Sequence, residues 1–289
     1  MTWEIWLIGV LGILCLTLCY LVFILNKKSK ELSKENIVLD ETNEQDYRRD
    51  FVANVSHELR TPVSIIKGFS ETLLEDFENI KEKKRKDFLE KINRNANRLH
   101  SLIEDLLLLA QFDGNPNSLK LQKIDLTTTI REVVEECKSR WDPQKLNILL
   151  DLPNFEVPIT VDPQKMISVF ENLLENAFNH AKELSRITIR LKIIEKHTIA
   201  VCEIEDDGQT TSAPAEIEKL FERFYRVDKS RSRARGGTGL GLSIVKDIIE
   251  AHNGKIMAKQ SKSGGLIFTF KLPLEAMDSQ GNSVIVTQL

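Results

Sequence analysis

A lone histidine, His57, lies among charged and hydroxyl-bearing side chains in the stretch Phe51-Val52-Ala53-Asn54-Val55-Ser56-His57-Glu58-Leu59-Arg60-Thr61-Pro62. An unprotonated imidazole is a nucleophile at physiological pH. The adjacent Glu58 can accept the other ring proton as a general base. The pair is therefore suited to accept a phosphoryl group. A lone histidine on a helix is more often a solvated surface residue, so this stretch alone leaves both interpretations open.

Two asparagines, Asn172 and Asn176, are four residues apart in Glu171-Asn172-Leu173-Leu174-Glu175-Asn176-Ala177 and therefore share one face of a predicted helix. Buried asparagines usually cap or cross-link neighbouring segments. Two of them on one face instead favour a carbonyl oxygen offered to Mg²⁺, which takes few protein ligands and mostly substrate phosphates.

A third group of residues suits a nucleotide. Asp206 ends a predicted strand in Glu205-Asp206-Asp207-Gly208, where its carboxylate can accept a hydrogen bond from an exocyclic amine, although alone this is a weak turn signal. The loop Gly236-Gly237-Thr238-Gly239-Leu240-Gly241-Leu242 leads into an apolar-periodic helix, so glycines and a helix N-terminus can approach phosphate oxygens. It is neither a Walker loop nor a Rossmann loop. The basic segment Lys229 to Arg235 either covers a bound polyanion or is a solvated loop.

The histidine must be positioned by helices. Phe51, Val55 and Leu59 form an i, i+4 apolar stripe, with His57 off the stripe. The pattern predicts one helix from near Asp50 to about Asp76, bent but not ended at Pro62, and a second from about Lys83 to Gln111. Because a hairpin of two helices buries too little apolar surface alone, we expect a homodimer with a four-helix bundle.

The turn cluster Gly114-Asn115-Pro116-Asn117 marks a domain boundary, beyond which the pattern is mixed α and β. Asp162-Pro163 is typical of a helix start. The periodicity predicts a strand and a helix within Ile124 to Trp141, and strands at Leu146–Leu152, Val157–Val161, Ile187–Ile194, Ile199–Ile204, Lys255–Gln260 and Leu266–Leu272.

Ile5 to Leu25 is an uncharged apolar run, long enough to span a bilayer core of about 30 Å as a helix. Lysines follow it directly, which favours a cytoplasmic location for the rest of the chain. A cleaved signal peptide is the alternative, but the first residues lack a positive charge and no small-x-small cleavage site precedes the lysines. We expect a single-pass anchor in the cell membrane, in contact with lipid, with only a few residues outside. Ser29 to about Asp50 is either a short signalling helix or a solvated linker.

Charge and cysteine content argue against a nucleic-acid-binding protein and against a metal-bound or disulfide-bonded fold. The formal net charge is -3 with both signs mixed throughout, so no nucleic-acid-binding surface is expected. The four cysteines have no metal or disulfide spacing, and Cys137 and Cys202 are expected to be inert packing residues.

Taken in order, His-Glu-Leu-Arg-Thr-Pro, Asn-Leu-Leu-Glu-Asn-Ala, Asp-Asp-Gly, Phe-Glu-Arg-Phe-Tyr-Arg and Gly-Thr-Gly-Leu-Gly-Leu resemble the motifs of bacterial two-component sensor histidine kinases of the phosphate-sensor-like group. The resemblance covers roughly Phe51 to Pro273. It implies an α/β two-layer sandwich of the ATPase type shared with gyrase and the Hsp90 chaperones. The expected domains are a transmembrane anchor (1–26), a linker or signalling helix (27–49), a dimerisation and histidine phosphotransfer domain (50–113), a catalytic ATP-binding domain (118–274) and a C-terminal tail (275–289).

The resemblance also implies roles. His57 would be the phosphoacceptor, Asn176 the Mg²⁺ ligand and Asp206 the carboxylate that binds adenine, while Arg226 would contact phosphate. Thr61, one helical turn from Glu58, would position water for dephosphorylation of a response regulator. The residues expected to bind ATP are Asn172, Asn176, Asp206, Gly208, Gly237, Thr238, Gly239, Leu240, Gly241 and Leu242. The expected partners are a second copy of the chain, a cognate response regulator and a membrane sensor protein.

Three positions depart from the family pattern, and the first two favour a rival function. Gln209-Thr210-Thr211 stands where a flexible Gly-Ile pair is usual, at the hinge of the lid that would cover ATP. Asn179-His180 replaces a basic-aromatic pair, which removes a cation. His252-Asn253-Gly254 replaces His-Gly-Gly, and we interpret His252 as a packing or capping residue. The alternative is therefore a phosphatase or signalling scaffold with weak kinase activity and a degenerate lid.

Overall fold

A computed structural model describes residues 41–114, 119–141, 146–181, 183–194, 198–209, 214–226, 238–274, 276–277 and 283–284. The expected anchor at Ile5 to Leu25 and the basic segment Lys229 to Arg235 lie outside these residues. Within the described ranges no helix is both long and apolar enough to cross a bilayer. The contacts divide the chain into two compact units, Met1–Glu58 and Leu59–Leu289.

The hairpin consists of helix α1, Glu41–Asp76, and helix α2, Glu82–Gly114. Helix α1 continues through Pro62 as predicted, but it begins well before the predicted start near Asp50. The extra segment lies within Ser29 to about Asp50, where a signalling helix and a solvated linker were both open, and from Glu41 onwards it is helical. It has no glycine or proline, but also no apolar stripe, so periodicity alone could not decide between the two. Near the turn of the hairpin, Leu73, Ile80 and Phe88 form a buried cluster with Phe69 and Ile92 packed against it.

The region after the hairpin contains a mixed sheet of five strands, β2 (Asn147–Asp151), β4 (Arg186–Ile194), β5 (Ile199–Asp206), β6 (Lys255–Gln260) and β7 (Leu266–Pro273). Their order in the sheet is β2-β4-β5-β7-β6, and only β2 and β4 pair in parallel. A separate antiparallel pair joins β1 (Gln122–Asp125) to β3 (Pro158–Val161), and β8 (Ala276–Met277) pairs with β9 (Ser283–Val284). The predicted strands are confirmed, with ends close to those expected.

One face of the large sheet is covered by helices. These are α3 (Leu126–Arg140), α4 (Pro163–His180) and α6 (Gly241–Ala251), and a short α5 (Pro214–Glu218) is followed by a 3₁₀ turn, Lys219–Phe221. Phe170 of α4 meets Phe270 of β7 edge to face, with ring centroids 5.7 Å apart. Ile189 and Cys202 are buried on the same face. The result is the predicted two-layer α/β arrangement.

Side-chain caps fix the starts of two helices. Asp125 accepts hydrogen bonds from the backbone N–H groups of Thr127 and Thr128 at the start of α3. Asp162 accepts one from the Lys165 N–H at the start of α4, as the Asp-Pro pair predicted. Cys137 in α3 and Cys202 in β5 are buried and unbridged, and burial raises the pKa of the Cys202 thiol, so both are packing residues as expected.

Candidate functional site

His57 and Glu58 are consecutive residues of α1. The His57 Nδ1 lies 3.9 Å from Glu58 Oε1, and the side chains are 55% and 13% exposed respectively. This separation is longer than a hydrogen bond but places the carboxylate beside Nδ1. Nε2 is then the ring nitrogen farther from Glu58, which suits it to act as the nucleophile.

Asp206 lies at the end of β5 on the helix-covered face, and it is 4% exposed. Its Oδ1 accepts a hydrogen bond from the Gly208 N–H at 3.0 Å, and Oδ2 accepts one from the Leu266 N–H at 3.0 Å. Burial raises its pKa to about 6, the two backbone N–H groups oppose that rise, and the neighbouring acids Asp207 and Glu205 add to it. Each carboxylate oxygen keeps a lone pair with which to accept a ligand N–H.

The turn before β7 must pass close to Asp206. A Cβ at Gly265 would overlap the backbone and side chain of Asp206, so only glycine fits there. The adjacent Gly264 has φ +101, a conformation that glycine adopts readily. The Gly264-Gly265 pair was therefore a sequence signal for this site that our motif analysis missed.

The glycine-rich loop leads into α6, which begins at Gly241. Gly239 has φ +76, and its carbonyl oxygen accepts a hydrogen bond from the Phe224 N–H at 2.8 Å. A Cβ at Gly239 would lie 3.1 Å from both Arg226 Nε and Phe224 Cα. The segment with Arg226 is thus held against the loop through Phe224, which has a positive φ of 63. Gly237 lies outside the described residues.

Asn172 and Asn176 lie half-buried on α4. The Asn172 Nδ2 donates to the Ser168 carbonyl oxygen at 2.9 Å, and a Cβ at Gly241 would overlap Asn172 Oδ1. Asn172 therefore packs closely against Gly241, where α4 meets the start of α6. The side-chain oxygen of Asn176 is chemically suited to Mg²⁺, which needs few protein ligands when phosphates supply the rest. Among the described residues no cluster of three or more His, Cys, Asp or Glu could hold a metal.

A residue that no motif indicated, Asp105 of α2, contacts the glycine-rich loop. The Thr238 Oγ donates to Asp105 Oδ2 at 3.0 Å and also accepts from the Leu240 N–H at 3.2 Å. Burial raises the pKa of Asp105 to about 6; the Thr238 hydrogen bond opposes the rise, while the charges of Glu175 and Glu104 contribute to it. An aspartate within an amphipathic helix has no local signature, so only the tertiary structure identifies this contact.

His252 is buried at the end of α6. Its Nε2 accepts a hydrogen bond from the Asp162 N–H at 2.9 Å, so Nδ1 carries the proton and donates to the Ile248 carbonyl oxygen at 2.8 Å. Burial lowers the pKa of His252. The expected structural role of His252 is confirmed, since it connects the end of α6 to the start of α4.

The contacts thus bring the predicted residues together in groups. Asn172 meets Gly241, Arg226 meets Gly239, and Gly208 meets Asp206. His57 and Glu58 belong to the other compact unit. One unit therefore carries the His57–Glu58 pair, and the other carries the buried Asp206 carboxylate and the glycine-rich start of α6.

Comparison with known proteins gives a family match for the hairpin and another for the α/β region. Residues 47–115 match the family described as "His Kinase A (phospho-acceptor) domain", and residues 161–276 match "Histidine kinase-, DNA gyrase B-, and HSP90-like ATPase". The chain belongs to the two-component sensor histidine kinases.

Individual relatives agree with this class. The chain is 34% identical over 232 residues to the sensor protein kinase WalK of Staphylococcus aureus, covering 80% of this chain and 55% of that one. It is similar to the histidine kinase AdeS of Acinetobacter baumannii, with a TM-score of 0.59, 25% identity and coverage of 76% of this chain and 98% of that one. Its fold is also that of the histidine kinase ThkA in a complex with the response regulator protein TrrA, with a TM-score of 0.61, 21% identity and coverage of 83% and 68%. The chain spans about half the length of the curated WalK relative.

Proposed function

We propose that this protein is a homodimeric, membrane-anchored histidine kinase that phosphorylates its own His57 from Mg-ATP and passes the phosphoryl group to an aspartate of a response regulator. The observation that carries the proposal is the presence in one chain of a phospho-acceptor hairpin with the His57–Glu58 pair and an ATPase fold with a buried Asp206.

Asp206 binds the adenine. Its two oxygens are each fixed by one backbone N–H, so an exocyclic amine donates to a carboxylate that is already oriented. The backbone of Gly237 to Leu242 and the start of α6 bind the phosphates, and Arg226 adds a positive charge. Asn176 would hold Mg²⁺ through its side-chain oxygen, and the bound ion would supply positive charge to stabilise the transferring phosphoryl group.

The transfer step uses His57 as nucleophile. The lone pair of Nε2 attacks the γ-phosphorus, the bond from that phosphorus to the β,γ-bridging oxygen breaks, and ADP leaves. The Nδ1 proton of the resulting imidazolium passes to Glu58, whose carboxylate lies 3.9 Å away. Asn172 stands where hydrolytic relatives have a glutamate that activates water, so the chain favours transfer over hydrolysis.

The response regulator follows from the family, since the structurally similar ThkA is known in complex with TrrA. Thr61 orients a water for the reverse reaction, the dephosphorylation of the regulator. We expect Thr61→Ala to keep autophosphorylation and to slow regulator dephosphorylation. Equal dephosphorylation rates in the variant and the parent would remove this role.

The apolar run Ile5 to Leu25 anchors the kinase in the cell membrane, with the catalytic region in the cytoplasm. The run contacts lipid, and a membrane sensor protein is the partner that would deliver a signal to the kinase. Reporter fusions at Ser33 test this topology. Activity only outside the cytoplasm would contradict it.

A second function, a phosphatase or scaffold with weak kinase activity, is favoured by one observation. The Gln209 side chain donates to Glu183 at 2.9 Å, which fixes the start of the segment where the family has a flexible glycine. Thr210 and Thr211 lie outside the described residues.

The purified complete chain incubated with γ-labelled Mg-ATP decides between the two functions. A kinase acquires label that is acid-labile and alkali-stable, whereas a scaffold or phosphatase remains unlabelled. Asn176→Ala should lose both the label and Mg-ATP binding. His57→Gln should lose the label alone, because the residues assigned to ATP lie elsewhere in the chain.

A further inference from the structure

The single hydroxyl proton of Thr238 is already engaged in a hydrogen bond within the chain. It donates to Asp105 Oδ2 at 3.0 Å and accepts from the Leu240 N–H at 3.2 Å. Thr238 belongs to the glycine-rich loop assigned to the phosphates. The Asp105 carboxylate therefore accepts the hydrogen bond that the Thr238 hydroxyl would otherwise donate to a phosphate oxygen.

The negative charge of Asp105 lets it compete with a polyphosphate for the hydrogen bond from Thr238. Among the described residues, the charges that raise its pKa are those of Glu175 on α4 and Glu104 on its own helix, both acids. Since its pKa is about 6, Asp105 is ionised at physiological pH. A polyphosphate arriving at the loop meets this negative charge in partly buried surroundings, where charge–charge repulsion is poorly screened.

The contact also belongs to a wider attachment of α2 to the catalytic region. Helix α2 packs against α6, and the Lys165 ammonium at the start of α4 lies 5.9 Å from the ring centroid of Phe112 near the end of α2. Displacing Asp105 from Thr238 therefore loosens one of several contacts, so the two regions remain connected when the loop is occupied.

We propose that Asp105 sets the nucleotide affinity of the phosphate loop, because its carboxylate holds the Thr238 hydroxyl and must be displaced by the polyphosphate. This inference rests on the proposed function, in that it takes the loop to bind ATP. Asp105 acts through Thr238 and is a positioning residue. Its effect depends on ligand charge, being largest for ATP, smaller for ADP and absent for adenosine.

The test compares Asp105→Asn with the parent chain by calorimetric titration of the complete protein with ATP, ADP and adenosine. Asparagine keeps an oxygen that accepts from Thr238 but removes the charge. We expect about three- to tenfold tighter ATP binding, a smaller gain for ADP and unchanged adenosine binding. Glu90→Gln is the matched control, because it removes the same charge from an exposed position on the same helix. It should leave all three affinities unchanged.

A purely structural role for Asp105 would change the three affinities by a common factor, which would overturn the inference. Equal ATP affinity in Asp105→Asn and the parent would also overturn it while leaving the proposed function standing. Absence of ATP binding in both proteins would refute the proposed function itself.

A nucleotide-free readout tests the contact separately. Asp105→Ala and Thr238→Val are combined in a double-mutant cycle followed by thermal unfolding. The drop in Tm for the double variant should be smaller than the sum of the two single drops. Additive drops would show that the two side chains do not interact in solution, which contradicts the proposal.

Discussion

Asp206 and His252 are buried titratable side chains, and their hydrogen bonds require different charge states. Asp206 must be ionised to accept hydrogen bonds from two backbone N–H groups and from a ligand, whereas His252 must be neutral to accept one from Asp162. Burial raises the pKa of the first and lowers that of the second, because it disfavours the charged form of each. The first shift should make adenine binding depend on pH, and the second should make folding stability depend on pH.

Adenine binding should depend on the ionisation of Asp206. Its pKa of about 6 means that adenosine affinity is constant above about pH 7 and falls as the pH drops through 6. Adenosine is the suitable probe because it has no titrating phosphate, and an NMR titration at each pH measures the affinity. Asp206→Asn should bind weakly at every pH, since its amide N–H would face the N–H of Gly208 or Leu266. A flat curve for the parent from about pH 5 to 7.5 would contradict this role.

His252 should contribute a pH-dependent part of the folding free energy. Because its folded-state pKa is lowered, the contribution is complete above the unfolded value of 6.5 and is lost as the pH falls through the folded pKa. His252→Phe should cost about 1–3 kcal/mol at pH 8, since it leaves the buried Asp162 N–H without its acceptor. Measured as Tm against pH, the difference between parent and variant should shrink towards pH 5. A difference independent of pH would exclude the protonation mechanism.

At the scale of elements, helices and strands with strong local sequence signals were predicted correctly. The Asp162-Pro163 pair predicted the start of α4, and apolar runs predicted the strands of the five-stranded sheet. Whether Glu41 to Arg49 forms a helix or a linker was left open, because the segment lacks apolar periodicity. The contact of Asp105 with Thr238 joins residues 133 positions apart, and no local pattern reports such a pairing. The motif order indicated the site residues, but not which backbone N–H groups would orient them.

The junction of α4 and α6 gives a test of steric fit. A Cβ at Gly241 would overlap Asn172 Oδ1, so Gly241→Ala should destabilise the protein by about 1–3 kcal/mol. In an Asn172→Ala background most of that cost should vanish, because the overlapping atom is gone. Gly68→Ala is the matched control, since a Cβ there meets nothing within 4 Å and alanine favours the helix, so it should be neutral or stabilising. Denaturant unfolding of the parent, the three single variants and the double variant measures these costs; an undiminished cost of Gly241→Ala in the Asn172→Ala background would contradict the steric explanation.

At the scale of the whole molecule, the hairpin leaves apolar side chains uncovered within a single chain. Leu74, Leu89 and Leu107 on its two helices are 45%, 55% and 41% exposed. Association of two hairpins would bury such residues, which is the physical reason to expect a dimer.

Dimerisation can therefore be tested by charge insertion. Leu89→Glu combined with Leu107→Glu should convert the dimer to a monomer in sedimentation experiments, because a carboxylate is costly to bury in an apolar interface. Leu149→Glu, at a position 42% exposed on β2 of the catalytic region, is the control and should remain dimeric. Dissociation of the control, or persistence of the dimer in the double variant, would argue against the hairpin as the interface.

The most direct measurement locates the phosphoryl group after incubation of the complete chain with Mg-ATP. Mass spectrometry at neutral or alkaline pH, with fragmentation that keeps the phosphoramidate bond, identifies the modified residue. We predict phosphohistidine at His57 and none at His100, the other histidine of the hairpin helices, and the signal should be absent in His57→Gln. Phosphate at His100, or on any residue in His57→Gln at the level of the parent, would contradict the assignment of His57 as the acceptor.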